Sequence, residues 1–425
     1  MCSCFKKYDS LFDDVINYFD FDSAFSFENY LFNKFGEEKL SYSIFQLWEP
    51  SGKIFKNETI DIFTSFKNLL TKSHSILRTR SFFEKRWILN SVRFSLLCSS
   101  SVSLKEKGTS DIIICASGPS LQTALPFIKE KQNCYIIALS SAINPLLENK
   151  IIPDLCLSTD GGFWAKTHLT TLKKITDKTI FALAVEGNSF SKFIQSSTIL
   201  PLVYSDGIES KIFGNTKITS FPALRCGTVS GTALDLALKI STGRIYFCGL
   251  DLSLSKGFQH TQTNLIELSN SLIDNKLQQK EKRISIQSFS NQKESLKIYE
   301  DWFKNFDTGN KSVFRVTDSP QNSLGKISDI SSKDFSSVNH SGTKPVFTKN
   351  ENTALDIRCK NIKNFITSYS DNKSWLYNCF PADYLNYMHN CDENQRESIL
   401  EKINNQNKAL LIKIDRLCRQ FTGKL

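Results

Sequence analysis

The chain has 425 residues, a 40% hydrophobic and 23% charged composition, and a formal net charge of +10. That length predicts two or three units, able to bury a core without metals or disulfides. The basic residues are spread out, and no zinc-finger spacing or RNA-recognition signature occurs, which argues against nucleic acid as a partner and leaves a small anionic substrate or an acidic partner as the reading of the charge.

Met1-Cys-Ser-Cys-Phe-Lys-Lys7 leads into acidic and aromatic residues, not an apolar signal core. No apolar run approaches the length of a membrane helix. The twelve cysteines lack metal or redox spacing and read as free thiols in a reducing compartment. A cytoplasmic enzyme with no transmembrane segment is expected.

In chain order, residues 1–105 are expected to form a small α+β domain. Leu11, Val15, Tyr18 and Phe19, then Ile60, Phe63, Phe66 and Leu70, recur at helical spacing, and Lys39 to Leu47 reads as a short strand. Residues 106–290 form the expected catalytic domain. Apolar runs at Asp111–Ala116, Cys134–Leu139, Leu155–Leu157, Ile180–Val185 and Arg244–Cys248 alternate with helical stretches at Leu121–Lys131 and Ala142–Asn149. Short apolar runs of this kind read as strands buried on both faces of a parallel sheet, so the expectation is α/β, with a Rossmann-like, mostly parallel sheet. Residues 291–425 read as loop-rich and then helical. A Ser-rich loop is expected over Ser328–Thr343, and Ile403, Leu410, Ile414, Leu417 and Phe421 mark an amphipathic helix.

Ligands of such sheets sit beyond the carboxyl ends of the strands, and four constellations fall there. In the first, Ser117-Gly118-Pro119-Ser120, Gly118 permits a sharp turn, Pro119 suits a first helical turn and Ser120 can cap it. The turn either offers amides to a phosphate or is an ordinary strand-to-helix corner. In the second, Asp154 shapes the start of a strand, and Asp160-Gly161-Gly162 places a carboxylate over the ligand edge, for a sugar hydroxyl or a divalent metal. The third, Arg225-Cys226-Gly227-Thr228-Val229-Ser230-Gly231-Thr232, opens a helix from Ala233 to Ile240 and offers a second anion or ribose site, or small residues for packing on the sheet. In the fourth, Gly249 and Asp251 end a strand, and His260 follows as the best general-base candidate, with His168 second. Ser140, beyond the second strand, completes the set expected to bind nucleotide.

These blocks, in this order, resemble the motility accessory factor family of flagellin glycosyltransferases, whose MptE-like (DUF115) domain is shared with archaeal 6-hydroxymethylpterin pyrophosphokinases. The matching segments are Ala116–Leu121, Ile152–Asp160, Gly227–Ala237 and Gly249–Leu252 with His260. Asn322 to Ile327 is similar to the family's later Asn…Gly element. The Gly-Pro-Ser-Leu turn and the Gly249-Leu-Asp-Leu252 strand end also look sialyltransferase-like, and together the segments span less than half of the chain. Ser117 and Leu250 depart from the family, which usually has Gly or Asn, and Gln, there.

The resemblance implies transfer of a nonulosonic acid of the pseudaminic or legionaminic type from a CMP-sugar to Ser or Thr hydroxyls of flagellin, with His260 or Asp160 taking the acceptor proton. No cofactor beyond the donor is implied with certainty. The alternatives are pyrophosphoryl transfer from ATP to a pterin alcohol, with Mg²⁺ on Asp160, and a non-catalytic nucleotide- or flagellin-binding protein.

Overall fold

A computed structural model gives the architecture and describes residues 27, 30, 31, 40 and 43–422, apart from 132, 172–177, 206, 254–259, 262, 263, 290, 291, 321, 339 and 340. Chain contacts divide the molecule into one unit of Met1–Lys85 with Asn372–Ala409 and another of Arg86–Asp371 with Leu410–Leu425.

The second unit holds the sheet. Its strands are β1 (Ser101–Glu106), β2 (Ile112–Cys115), β3 (Tyr135–Leu139), β4 (Leu155–Ser158), β5 (Ile180–Ala184), β6 (Ile199–Tyr204), β7 (Phe221–Ala223), β8 (Ile245–Cys248), β9 (Val313–Val316), β10 (Ser328–Ile330) and β11 (Val346–Asn350). They lie in the order β10-β9-β8-β2-β3-β4-β5-β6-β1-β11, with β7 paired to β6. Every pairing is parallel except that of β1 with β11. The fold is a Rossmann-like, mostly parallel α/β sheet.

Period-two alternation explains why the central strands are apolar at every position. Ile113 and Cys115 of β2, Ile136 and Ala138 of β3, and Tyr246 and Cys248 of β8 enter one core. Ile112 and Ile114, Tyr135 and Ile137, and Ile245 and Phe247 enter the core on the opposite face. The Val229–Ile240 helix packs on the second face, across β2, β3 and β4. The Leu121–Glu130 helix packs on the first through Leu121, Ala124, Leu125 and Ile128.

The sheet runs past residues 106–290 on both sides, because β1, β9, β10 and β11 all join it. The Ser-rich stretch from Ser328 is a strand and then a helix, Ser332–Ser337, capped by the Ser331 hydroxyl accepting from the Asp334 amide. Arg315 of β9 is buried and holds this edge. Its guanidinium donates to Asp329 at 2.6 and 2.9 Å and to Asn322 Oδ1 at 2.7 Å. The Asn322–Ile327 segment therefore supports a strand edge.

The N-terminal expectation needs correcting. Glu49–Ile54 and Lys56–Leu97 are helices, and Leu40 is helical while Ser43–Trp48 are irregular. Among the described residues Lys39–Leu47 thus forms no strand, and no α+β domain precedes Leu97. Leu11, Val15, Tyr18 and Phe19 lie outside the described residues. Ile60 and Phe63 are exposed, whereas Phe66 is buried. The C-terminal helix is present as Glu393–Thr422, with Ile403, Leu410 and Ile414 buried. Among the described residues no helix is long and apolar enough to cross a membrane.

Candidate functional site

The carboxyl ends of β2, β3, β4 and β8, with the start of the Val229–Ile240 helix, carry the polar residues singled out in the sequence. Ser117 follows β2 and is buried. Its hydroxyl lies 3.0 Å from His260 Nδ1 and accepts from Ser141 Oγ at 2.9 Å. The loop bearing His260 is pinned there, since the Thr261 amide donates to Ser117 O at 2.8 Å. Asn264 Nδ2 donates to Ser141 O at 3.2 Å. Burial, and then the neighbouring His260, push the His168 imidazole down to about 4. His168 is therefore neutral near pH 7.

The Ser117–Ser120 corner is closed. The Gly118 amide donates to Gly249 O at 2.9 Å, and the Ser120 amide donates to Asp251 Oδ2 at 2.8 Å. Pro119 has no amide hydrogen to offer. A Cβ on Gly118 would come within 2.4 Å of Asp251 Oδ2 and 2.5 Å of Gly249 O, so glycine is required by close approach. Ser120 does not cap its helix through its side chain, and among the described residues its buried Oγ has no partner. A carboxylate already satisfies this helix start, so a phosphate would meet a like charge instead of free amides. Of the expected anion cradle at residues 117–120, the Gly118 and Ser120 amides are thus already taken. Gly249 and Asp251 shape the corner.

The Val229–Ile240 corner is open. The helix starts four residues earlier than expected, with Thr228 as an extended N-cap that makes no side-chain cap bond. Gly227 has φ of +69°, and a Cβ there would meet nothing within 4 Å. Among the described residues the amides of Val229, Ser230 and Gly231 meet no acceptor. These are orphan donors of a helix start, the arrangement that favours an anion. The Trp302 ring lies against Gly231, and the Thr232 hydroxyl donates to Leu224 O at 3.2 Å.

Asp160 is exposed after β4, and its Oδ1 accepts from the Gly162 amide at 2.7 Å. The Tyr299 hydroxyl is pushed up by burial first and by the Asp160 charge second. Gly161 is demanded by Trp87, whose indole would lie 2.6 Å from a Cβ. Asp154 is structural as expected, accepting from the Ile136 amide at 2.8 Å and from Lys344 at 2.8 Å. Ser140 is buried in a 3-10 turn, and Ser141 supplies the hydroxyl that reaches Ser117.

Sequence reasoning passed over one constellation. Glu186, at the end of β5, is buried and takes both nitrogens of Arg225 at 2.5 and 2.9 Å. The guanidinium stacks on Tyr204 at 4.4 Å and on Trp87 at 4.9 Å. Bidentate, stacked arginine of this kind fixes geometry. The signal was present in Glu186-Gly187, which repeats the Asp160-Gly161 pattern at the end of the next strand.

A Ser–His pair at one central strand end and an unfilled helix start thus lie on the same edge of the parallel α/β sheet, the edge where such folds hold ligands. Residues 88–257 match the family described as 6-hydroxymethylpterin diphosphokinase MptE-like. A protein of Treponema pallidum (strain Nichols), described as uncharacterized, is 32% identical over 244 residues, 56% of this chain and 53% of that protein. The chain thus spans about half the length of the curated relative it matches. A solved structure of a MAf glycosyltransferase from Magnetospirillum magneticum AMB-1 aligns with a TM-score of 0.41 at 14% identity, over 83% of this chain and 58% of that one.

Proposed function

We propose that this domain transfers the activated group of a nucleotide-linked donor to a hydroxyl. In its specific form the donor is a CMP-activated nonulosonic acid, and the acceptor is a Ser or Thr of flagellin. The observation that carries the reading is the hydrogen-bonded series Ser141–Ser117–His260 at the end of β2. A serine oxygen has two lone pairs, so with the imidazole proton on Nδ1, the tautomer this reading requires, Ser117 accepts from Ser141 and from His260 together. That tautomer leaves His260 Nε2 as the basic nitrogen, able to take the acceptor proton. Neutral His168 adds no positive charge against the imidazolium that forms.

The open amides of Val229–Gly231 supply the complement, positive partial charge for the phosphate that departs with the nucleotide. In this reading exposed Asp160 accepts from a sugar hydroxyl.

The family description favours a second reading, diphosphoryl transfer to a pterin alcohol. Among the described residues no three His, Cys, Asp or Glu side chains gather into a metal cluster. Asp160 would then lend a single carboxylate to a magnesium ion arriving on ATP phosphates.

Thermal shift separates the two. The glycosyl-transfer reading expects CMP to raise the Tm and ATP with Mg²⁺ to leave it unchanged. His260→Ala should keep the CMP shift while flagellin co-expressed with the variant loses its added mass. Stabilisation by ATP with Mg²⁺ and none by CMP would replace this reading with the diphosphokinase.

A further inference from the structure

A cavity of about 360 Å³ lies beside the Asp160–Gly162 loop, within the sheet unit. Its walls come from the end of the Lys56–Leu97 helix, the Ala165–His168 turn, Asn188, and the last turns of the Glu393–Thr422 helix. Four charged side chains line it, Arg93, Lys166, Lys413 and Arg416, and all four are cations. Among the described residues none of them meets a carboxylate. Asp415, between Lys413 and Arg416 in sequence, is engaged by Lys363 at 3.1 Å and Arg419 at 2.7 Å.

Lys413 and Arg416 are exposed, while Arg93 and Lys166 are half-buried. Among the described residues Arg93 has a neutral partner alone, donating to Asn188 Oδ1 at 3.1 Å. Burial lowers its pKa, and Lys166 is lowered by burial and then by Arg93. A half-buried like-charged pair is unfavourable until an anion joins it.

We propose that this cavity binds a small phosphorylated anion carrying at least two negative charges. The volume falls in the range of small-molecule sites, about 300–1,000 Å³, and exceeds the needs of one inorganic anion. Two guanidinium forks and two ammonium groups match phosphate oxygens by bidentate and point contacts.

The site is separate from the Ser117–His260 pair. Lys166 and His168 are two residues apart on one helical turn, so they face opposite sides. Lys166 lines the cavity and His168 does not. Asn188 connects the two regions. It accepts from Arg93 through Oδ1, donates through Nδ2 to Gly162 O at 2.9 Å, and donates through its amide to Asp160 O at 2.9 Å. An anion drawn onto Arg93 therefore bears on the loop that carries Asp160.

The test is calorimetric titration of the full chain with inorganic pyrophosphate at low and moderate salt. Saturable binding is expected, weakened at least tenfold in Lys413→Gln/Arg416→Gln, a double variant of exposed residues whose fold is checked by circular dichroism. Arg419→Gln, which removes a cation tied to Asp415 outside the cavity, and His260→Ala should bind as the parent does. CDP should compete with pyrophosphate if phosphates alone are recognised. Absent binding, binding unchanged in the double variant, or equal weakening in Arg419→Gln would overturn the proposal.

Discussion

Two helix starts on one edge of the sheet look alike in sequence and differ in the structure. Ser117-Gly-Pro-Ser120 and Gly227-Thr-Val-Ser-Gly231 both pair glycine with small hydroxyl residues after a strand. At the first, a carboxylate from another strand end has taken the helix amide, Asp251 Oδ2 to Ser120 N at 2.8 Å. At the second, no side chain has done so among the described residues. A glycine-bearing turn before a helix is thus an anion site only if its own protein has not already filled it. The first corner keeps a different use, because it positions Ser117 against His260.

The division of labour fails most visibly if His260 is dispensable. His260→Ala is expected to lower transfer by about 10²- to 10⁴-fold, the range for a positioned general base, with nucleotide affinity kept. A rate loss matched by an equal loss of affinity would return phosphate binding to the closed corner. Next in size is Gly118→Ala. A methyl group there must displace Asp251 or the Gly249 carbonyl, and overpacking of this kind costs about 1–3 kcal/mol. We place it near 3 because the obstruction includes backbone, and the urea midpoint measures it.

The closed corner also has a pH signature. His168 is held near 4 against an ordinary value of 6.5, so the unfolded chain binds a proton between these values while the folded chain does not. Its contribution is fully present above pH 6.5 and is lost as pH falls through 4, about 3 kcal/mol. In His168→Gln the dependence of the urea midpoint on pH over this window should flatten.

The sheet was legible because parallel central strands bury both faces and show as unbroken apolar runs, Ile112–Cys115 and Ile245–Cys248 above all. Its edges were not. Ser328–Ile330 and Val346–Asn350 are short and largely exposed, so hydrophobicity does not mark them. The early start of the Val229–Ile240 helix was masked by Val229, Ser230, Gly231 and Thr232, all weak helix formers, which packing against β2, β3 and β4 overrides. Most of the site's residue types were visible, and its connections were not. Asp251 reaches Ser120 across 131 residues, and His260 reaches Ser117 across 143. Local spacing carries no trace of such contacts, so free and occupied amides read identically.

The smallest expected effect sharpens the comparison most. Gly227 holds φ of +69° with open space where a Cβ would project, so Gly227→Ala meets backbone strain but no collision. The cost is about 1 kcal/mol, below that of Gly118→Ala despite the same added methyl group. Gly227→Asn should recover much of it, since asparagine tolerates the left-handed region. The two substitutions also divide on ligand affinity. A methyl at 227 stands beside the orphan amides of Val229–Gly231, in the space a nucleotide phosphate would occupy, and should weaken CMP binding in molecules that remain folded. A methyl at 118 presses only on protein, so the folded fraction should bind CMP as before. Equal CMP affinity in Gly227→Ala and the parent would mean that the open helix start, though chemically suited to an anion, is not where the nucleotide sits.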